Sequence, residues 1–221
     1  MMLFQWIGEF LFPRKCLLCQ GILPRQESDL CGECRRETAQ FAQRGTMQDL
    51  DGWTALWYYD GPVRESLLRY KFNGKRHYAS GYGRLLAMQV SRILPTPDLI
   101  TWVPVSPKRK RERGYDQSEL LAQALSRELN LPAEPALRKV RNNPAQSGIS
   151  DPGLRRKNVE NVYQALDNGN LTGKRVLLVD DIVTTGATSR ECAKVLRRAG
   201  AKEIYLAAMA AGKMKHTAAE E

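Results

Sequence analysis

The spacing of apolar residues along the chain divides it into alternating strands and helices. The segment "DGWTALWYYD" (51–60) is aromatic and strand-like, and it closes on a Gly-Pro pair. In "VRESLLRYKF" (63–72), Val63, Leu67, Leu68 and Phe72 recur at helical spacing. "YGRLLAMQVSRIL" (82–94) predicts a second helix, stopped by Pro95 and Pro97. "DLITWVPVSP" (98–107) reads as a short strand broken at Pro104. "SELLAQALSREL" (118–129) reads as a helix with Ser118 at its N-cap. Residues 138–160 keep no period and predict a mobile loop. "RVLLVDD" (175–181) is a continuous apolar run, as in strands covered on both faces. "TSRECAKVLRRAG" (188–200) predicts a helix closed by Gly200, and "EIYLAAMAA" (203–211) a last strand. This alternation predicts an α/β fold with a mainly parallel sheet flanked by helices.

The first 45 residues lack this periodicity and are too few to bury a core unaided. They predict a separate small domain (1–45) ahead of the main one (46–221). Within it, "LFQWIGEFLF" (3–12) reads as a short amphipathic helix. It has no basic region before it and no small-residue cleavage site after it, which predicts a chain without a secretion signal. No apolar run approaches the ~20 residues of a membrane helix. Four of the five cysteines form two C-x-x-C pairs, Cys16/Cys19 and Cys31/Cys34, separated by eleven residues. In a reducing compartment such pairs favour metal over disulfides, because a two-residue gap lets both thiolates reach one tetrahedral ion. The expectation is a structural zinc ribbon with four cysteine ligands, closed and therefore not catalytic. Cys192, inside a predicted helix, reads as a small core residue.

The formal charge of +10 favours anionic partners. The excess is clustered: "KRKRER" (108–113) places Lys108, Arg109, Lys110, Arg111 and Arg113 in six residues, and "RKVR" (138–141) and "RRK" (155–157) follow. The first cluster reads equally as a phosphate contact or as a solvated face. Trp53, Trp57, Tyr58 and Tyr59 read first as core packing, with base stacking as the second possibility.

The chemistry is densest in "VLLVDDIVTTGAT" (176–188). A parallel strand entering a helix leaves its C-terminal end open to ligands. The helix's free amides, its dipole and the hydroxyls of Thr184, Thr185 and Thr188 suit a phosphate, and Gly186 permits close approach. Asp180 and Asp181 repel phosphate and suit paired hydroxyls, a metal, or both; a ribose 5-phosphate has that shape. A Walker B strand would need a matching phosphate loop, and "GNLTGKR" (169–175) is one residue short and leads into a strand.

These residues resemble the loop of type I phosphoribosyltransferases that binds 5-phosphoribosyl-1-pyrophosphate (PRPP). The resemblance implies that Asp180 and Asp181 contact the ribose hydroxyls. It implies further that Thr184, Thr185, Gly186, Ala187 and Thr188 hold the 5′-phosphate. Val105, Ser106 and Pro107 resemble the pyrophosphate loop, and Arg155, Arg156 and Lys157 lie in a segment resembling the flexible loop that closes over the ligand. The N-terminal four-cysteine module, "YKFNGKR" (70–76), "VPVSPKRKRERGYDQSELLA" (103–122), "LRRKNV" (154–159) and the PRPP loop occur in that order. Together they resemble the ComF/GntX family of competence-associated proteins over nearly the whole chain. That resemblance implies PRPP with Mg²⁺, single-stranded DNA and the DNA-uptake machinery as partners, and a cytoplasmic location. The alternative is a metabolic phosphoribosyltransferase acting on an unidentified acceptor. No residue declares itself as a base for such a reaction; His77 reads as a loop residue and His216 as part of the tail.

Overall fold

Along the chain, the computed structural model places α1 (Gly32–Glu37), β1 (Gly45–Met47), β2 (Leu50–Tyr58), α2 (Gly61–Phe72), α3 (Tyr78–Ile93), β3 (Leu99–Trp102), α4 (Pro107–Arg113), α5 (Gln117–Leu129), β4 (Leu137–Lys139), β5 (Tyr163–Ala165), β6 (Arg175–Val183), α6 (Ala187–Arg198) and β7 (Glu203–Ala211). It describes residues 13–141, 161–166 and 171–212. The expected helix at 3–12 lies outside them.

Five strands form one sheet in the order β1-β2-β7-β6-β3. β2 pairs with β7, β7 with β6 and β6 with β3, all parallel, while β1 adds an antiparallel edge. The inner strands β6 and β7 are apolar runs because neither of their faces meets water. Side-chain alternation along them separates two cores. Leu177, Val179, Ala207 and Met209 pack with Leu67, Leu86 and Leu125 of α2, α3 and α5. Val176, Leu178, Leu206 and Ala208 pack on the other face with Cys192 and Leu196 of α6 and with Leu137 and Tyr163 of the β4–β5 pair.

The cysteine-bearing segment joins the first of these cores. Leu17, Leu18, Leu23 and Leu30 are buried in it. The Leu17 carbonyl accepts from Ser66 and, at 3.3 Å, from Arg69, both on α2. Arg84 of α3 donates to both oxygens of Asp29, at 2.6 and 3.0 Å. A segment with too little apolar surface for its own core thus shares that of the neighbouring helices.

Several local expectations change. α3 starts at Tyr78, four residues before the predicted start, and His77 lies in the turn that precedes it, as expected of a loop residue, with no side-chain capping bond. Asp116, not Ser118, caps α5, because its carboxylate accepts from the Ser118 and Glu119 amides. The basic run 107–113 is itself a helix, with Ser106 as N-cap and the left-handed Gly114 as C-cap. Arg138 and Lys139, expected in a loop, pair with Gln164 and Tyr163. Trp53 and Trp57 are core residues, as the first reading of the aromatic segment held. Phe72, expected on the apolar stripe of its helix, lies off it: Val63, Ser66, Leu67 and Tyr70 form the buried face, and Phe72 is 60% exposed.

α3 and α5 cross at Gly83, where an added Cβ would lie 2.6 Å from the Ala124 Cβ and 2.9 Å from its carbonyl carbon. Alanine would gain about 1 kcal/mol of helix propensity. Overpacking against backbone costs about 1–3 kcal/mol, so Gly83→Ala is expected to lower the melting temperature. An unchanged or raised value would mean the helices part freely at this crossing.

Candidate functional site

The C-terminal ends of β3 and β6 lie side by side: Trp102 pairs with Val179, and the Val103 amide donates to the Val179 carbonyl at 3.0 Å. The Val105–Pro107 loop after β3 and the Asp180–Asp181 pair near the C-terminal end of β6 therefore lie at one edge, the edge at which open α/β sheets take ligands. The buried Asp116 carboxylate joins the elements there. It accepts from the Val105 amide at 2.8 Å and from the Ser118 and Glu119 amides at 3.0 and 3.2 Å. One side chain thus caps α5 and holds the loop that follows β3. Burial pushes the Asp116 carboxyl up, against the pull of those amides. Ser106, also buried, accepts from the Arg109 amide and starts α4.

β6 runs on through both aspartates to Val183. Asp181 forms an ion pair with Lys71 of α2, 2.9 Å from Nζ to Oδ2. Asp180 accepts from the Asp181 amide at 2.8 Å and from the Ser118 hydroxyl at 3.3 Å. Burial, and then the neighbouring Asp181 charge, push Asp180 up to about 8. One carboxylate is balanced by a lysine and the other by retaining its proton. Lys71 belongs to the "YKFNGKR" motif, but nothing local in that motif links it to a strand so far along the chain.

Beyond Val183 the chain turns through Thr184 and Thr185 to Gly186, whose φ of +71° is left-handed. A Cβ there would also lie 2.4 Å from the Met47 sulfur, so both conformation and space call for glycine. The Thr185 hydroxyl accepts from the Ala187 amide at 3.4 Å. α6 starts at Ala187, with no side chain capping it, and Thr188 follows in its first turn. The amides of that turn form an anion-receptive end beside the acidic pair.

Basic groups line the approach. On α4, Lys108 and Arg111 are exposed, and Lys110 pairs with Glu119 at 2.6 Å. The Arg113 guanidinium lies 4.8 Å from the Phe72 ring centre. On β4, Lys139 rests 5.4 Å from the centre of the Tyr163 ring, and burial, with the Arg109 charge adding, pushes it down to about 8. Arg155, Arg156 and Lys157 lie outside the described residues.

Away from this edge, the Sγ atoms of Cys16, Cys19, Cys31 and Cys34 all lie within 4.8 Å of one another. Four thiolates around a tetrahedral zinc at ~2.3 Å would be roughly 3.8 Å apart, and the Cys19–Cys31 separation is 3.7 Å. The donors fit zinc and leave no open position. Cys192 is fully buried in α6, and burial pushes its thiol up. Among the described residues, no helix is long and apolar enough to cross a membrane.

A phosphoribosyl transferase domain model matches residues 116–220, and a double zinc ribbon domain model matches residues 7–45. Competence protein F of Haemophilus influenzae is 29% identical over 220 residues, covering 88% of this chain and 96% of that protein. The DNA utilization protein YhgH of Escherichia coli K12 is 32% identical over 199 residues, covering 87% of this chain and 82% of that protein. Competence protein ComFC of Bacillus subtilis is 25% identical over 216 residues, with coverages of 88% and 84%. The expected fold is what these matches and the sheet both give: a type I phosphoribosyltransferase-like α/β domain with an N-terminal zinc-ribbon segment.

Two outcomes follow from the geometry. A carboxyl that ionises near 4 when unfolded and near 8 when folded holds an extra proton in the folded state between those values. Stability should therefore fall as pH rises through that window, and Asp180→Asn should flatten the slope of urea midpoints across it. An unchanged slope would mean that Asp180 is already ionised in the folded chain. Elemental analysis should find one zinc per chain, lost with a drop in melting temperature in Cys16→Ser. Retention of a full equivalent by that variant would remove Cys16 from the ligand set.

Proposed function

The chain belongs to the ComF family, and from that premise we propose that it is a competence-associated DNA-uptake factor. It binds PRPP at the sheet edge and single-stranded DNA on the basic surface beside it, in the cytoplasm, in contact with the uptake machinery. The observation that carries this reading is the convergence of three elements on one edge: the Val105–Pro107 loop, the Asp180–Asp181 pair, and the turn from Thr184 into α6. An acidic pair next to an anion-receptive helix end suits a ligand with a diol and a phosphate. Asp181 would exchange its Lys71 partner for ribose hydroxyls, and Asp180 would accept or donate according to its proton. Mg²⁺ would enter with the pyrophosphate, whose charge it would neutralise near Val105–Pro107. The cations of α4 supply contacts for a phosphodiester backbone at the mouth of the site.

If the site turns over, pyrophosphate leaves C1 of PRPP and an acceptor takes its place. The match of residues 116–220 to a phosphoribosyl transferase domain favours keeping this second reading, a metabolic transferase.

Two titrations test the proposal. Calorimetry with PRPP and Mg²⁺ should give saturable binding that Asp181→Asn weakens; no binding by the unaltered chain would overturn the PRPP half. A labelled single-stranded oligonucleotide should bind with a log–log salt slope of about −0.7 per contacted phosphate. Absence of binding at low salt would overturn the DNA half, and pyrophosphate release with one particular base would support the transferase.

A further inference from the structure

Phe72 is the one Phe, Tyr or Trp among the described residues that is exposed, at 60% of its surface. It ends α2 immediately after Lys71, the partner of Asp181. Leaving a Phe side chain in water forgoes about 1.5–3 kcal/mol of burial, and the helix has a buried face in Val63, Leu67 and Tyr70 that Phe72 does not join. The ring is not left bare. The Arg113 guanidinium lies 4.8 Å from its centre, close enough for a cation–π contact. Arg113 also feels the Asp181 charge, so ring, guanidinium and acidic pair share one neighbourhood.

A second cation–aromatic pair continues from there. Arg76, just after α2, lies 4.9 Å from the Tyr115 ring centre and donates to the Gly114 carbonyl at 2.8 Å. Gly114 has a left-handed φ of +76°, which favours glycine at this turn. Arg113 is thus held on Phe72 at the end of α2, and Arg76 on Tyr115 and the Gly114 carbonyl at the turn after α4; neither has an acidic partner within ion-pairing distance among the described residues. An exposed ring with a fixed guanidinium on it, and a second at the turn that follows Arg113, has the makings of a base-stacking platform: the π-face takes any base, and the cations take the phosphates next to it.

We infer that Phe72, with Arg113 on its ring, is the platform on which a nucleobase stacks beside the sheet-edge site. The inference rests on the reading of that edge as a nucleotide-handling site and adds the surface that meets the base. The base can come from two sources, a single strand lying across the basic surface or a free base presented to a bound PRPP.

The test uses the full zinc-loaded chain, with Phe72→Ala and Phe72→Trp as variants, against a labelled oligo-dT and an abasic oligonucleotide of equal length. Phe72→Ala is expected to bind oligo-dT roughly 5- to 150-fold more weakly, the range that loss of one stacked base gives. Phe72→Trp should restore binding, and the abasic strand should be indifferent to both variants. A second arm titrates free adenine and thymine in the presence of PRPP and Mg²⁺. If the unaltered chain binds no oligonucleotide but binds a free base in a Phe72-dependent way, the platform stands, the free base is its ligand, and the DNA half of the proposed function falls. Equal losses on dT and abasic strands, or no dependence on Phe72 in either arm, overturn the platform. If that happens while oligonucleotide or PRPP binding persists, the broader reading is untouched.

Discussion

Two adjacent carboxylates at the end of a strand covered on both faces are destabilising, and the arrangement around them offsets that cost. Burial opposes ionisation of Asp180, and the Asp181 charge beside it adds to that opposition. The chain deals with them separately. Asp181 receives Lys71 from a helix on one face of the sheet. Asp180 receives a hydroxyl and its neighbour's amide, and keeps a proton well above the usual carboxylate range. Lys71 and the raised Asp180 together reduce the negative charge at this edge.

The edge is held in shape by groups that are already engaged elsewhere. Asp116 commits its carboxylate to three amides, joining the loop after β3 to the start of α5. Gly186 brings the turn after β6 against Met47, closer than any side chain would permit. The metal segment takes part from a distance. Its backbone carbonyls are bound by Ser66 and Arg69 of α2, the helix whose last residues are Lys71 and Phe72. The cysteine segment and α2 therefore share one core, and α2 reaches the acidic pair through Lys71.

Much of this was legible in the sequence because the signals were local. The apolar runs at 175–181 and 203–211 mark two of the three inner strands, since a strand hidden on both faces has no polar side to show. The paired C-x-x-C spacing marks the metal donors, because chelation is itself a short-range constraint. The Asp-Asp and Thr-Thr-Gly order marks a strand end turning into a helix. Trp53 and Trp57, in a strand-like aromatic segment read first as core packing, are buried. Local signals misled where neighbours competed: Asp116 takes the cap position from Ser118 because its carboxylate reaches two amides at once.

What the sequence determined by itself is the class of fold, the clustered cysteines and which residues stand near the end of β6. Only the tertiary structure decided their partners. Lys71 meets Asp181, Arg113 meets Phe72 and Arg76 meets Tyr115 across long stretches of chain. Periodicity records which side of an element faces the core, but which distant element lies opposite depends on how the layers pack. Phe72 shows the difference: its spacing places it near the stripe that α2 buries, and the packing of that helix leaves it in solvent beside the site.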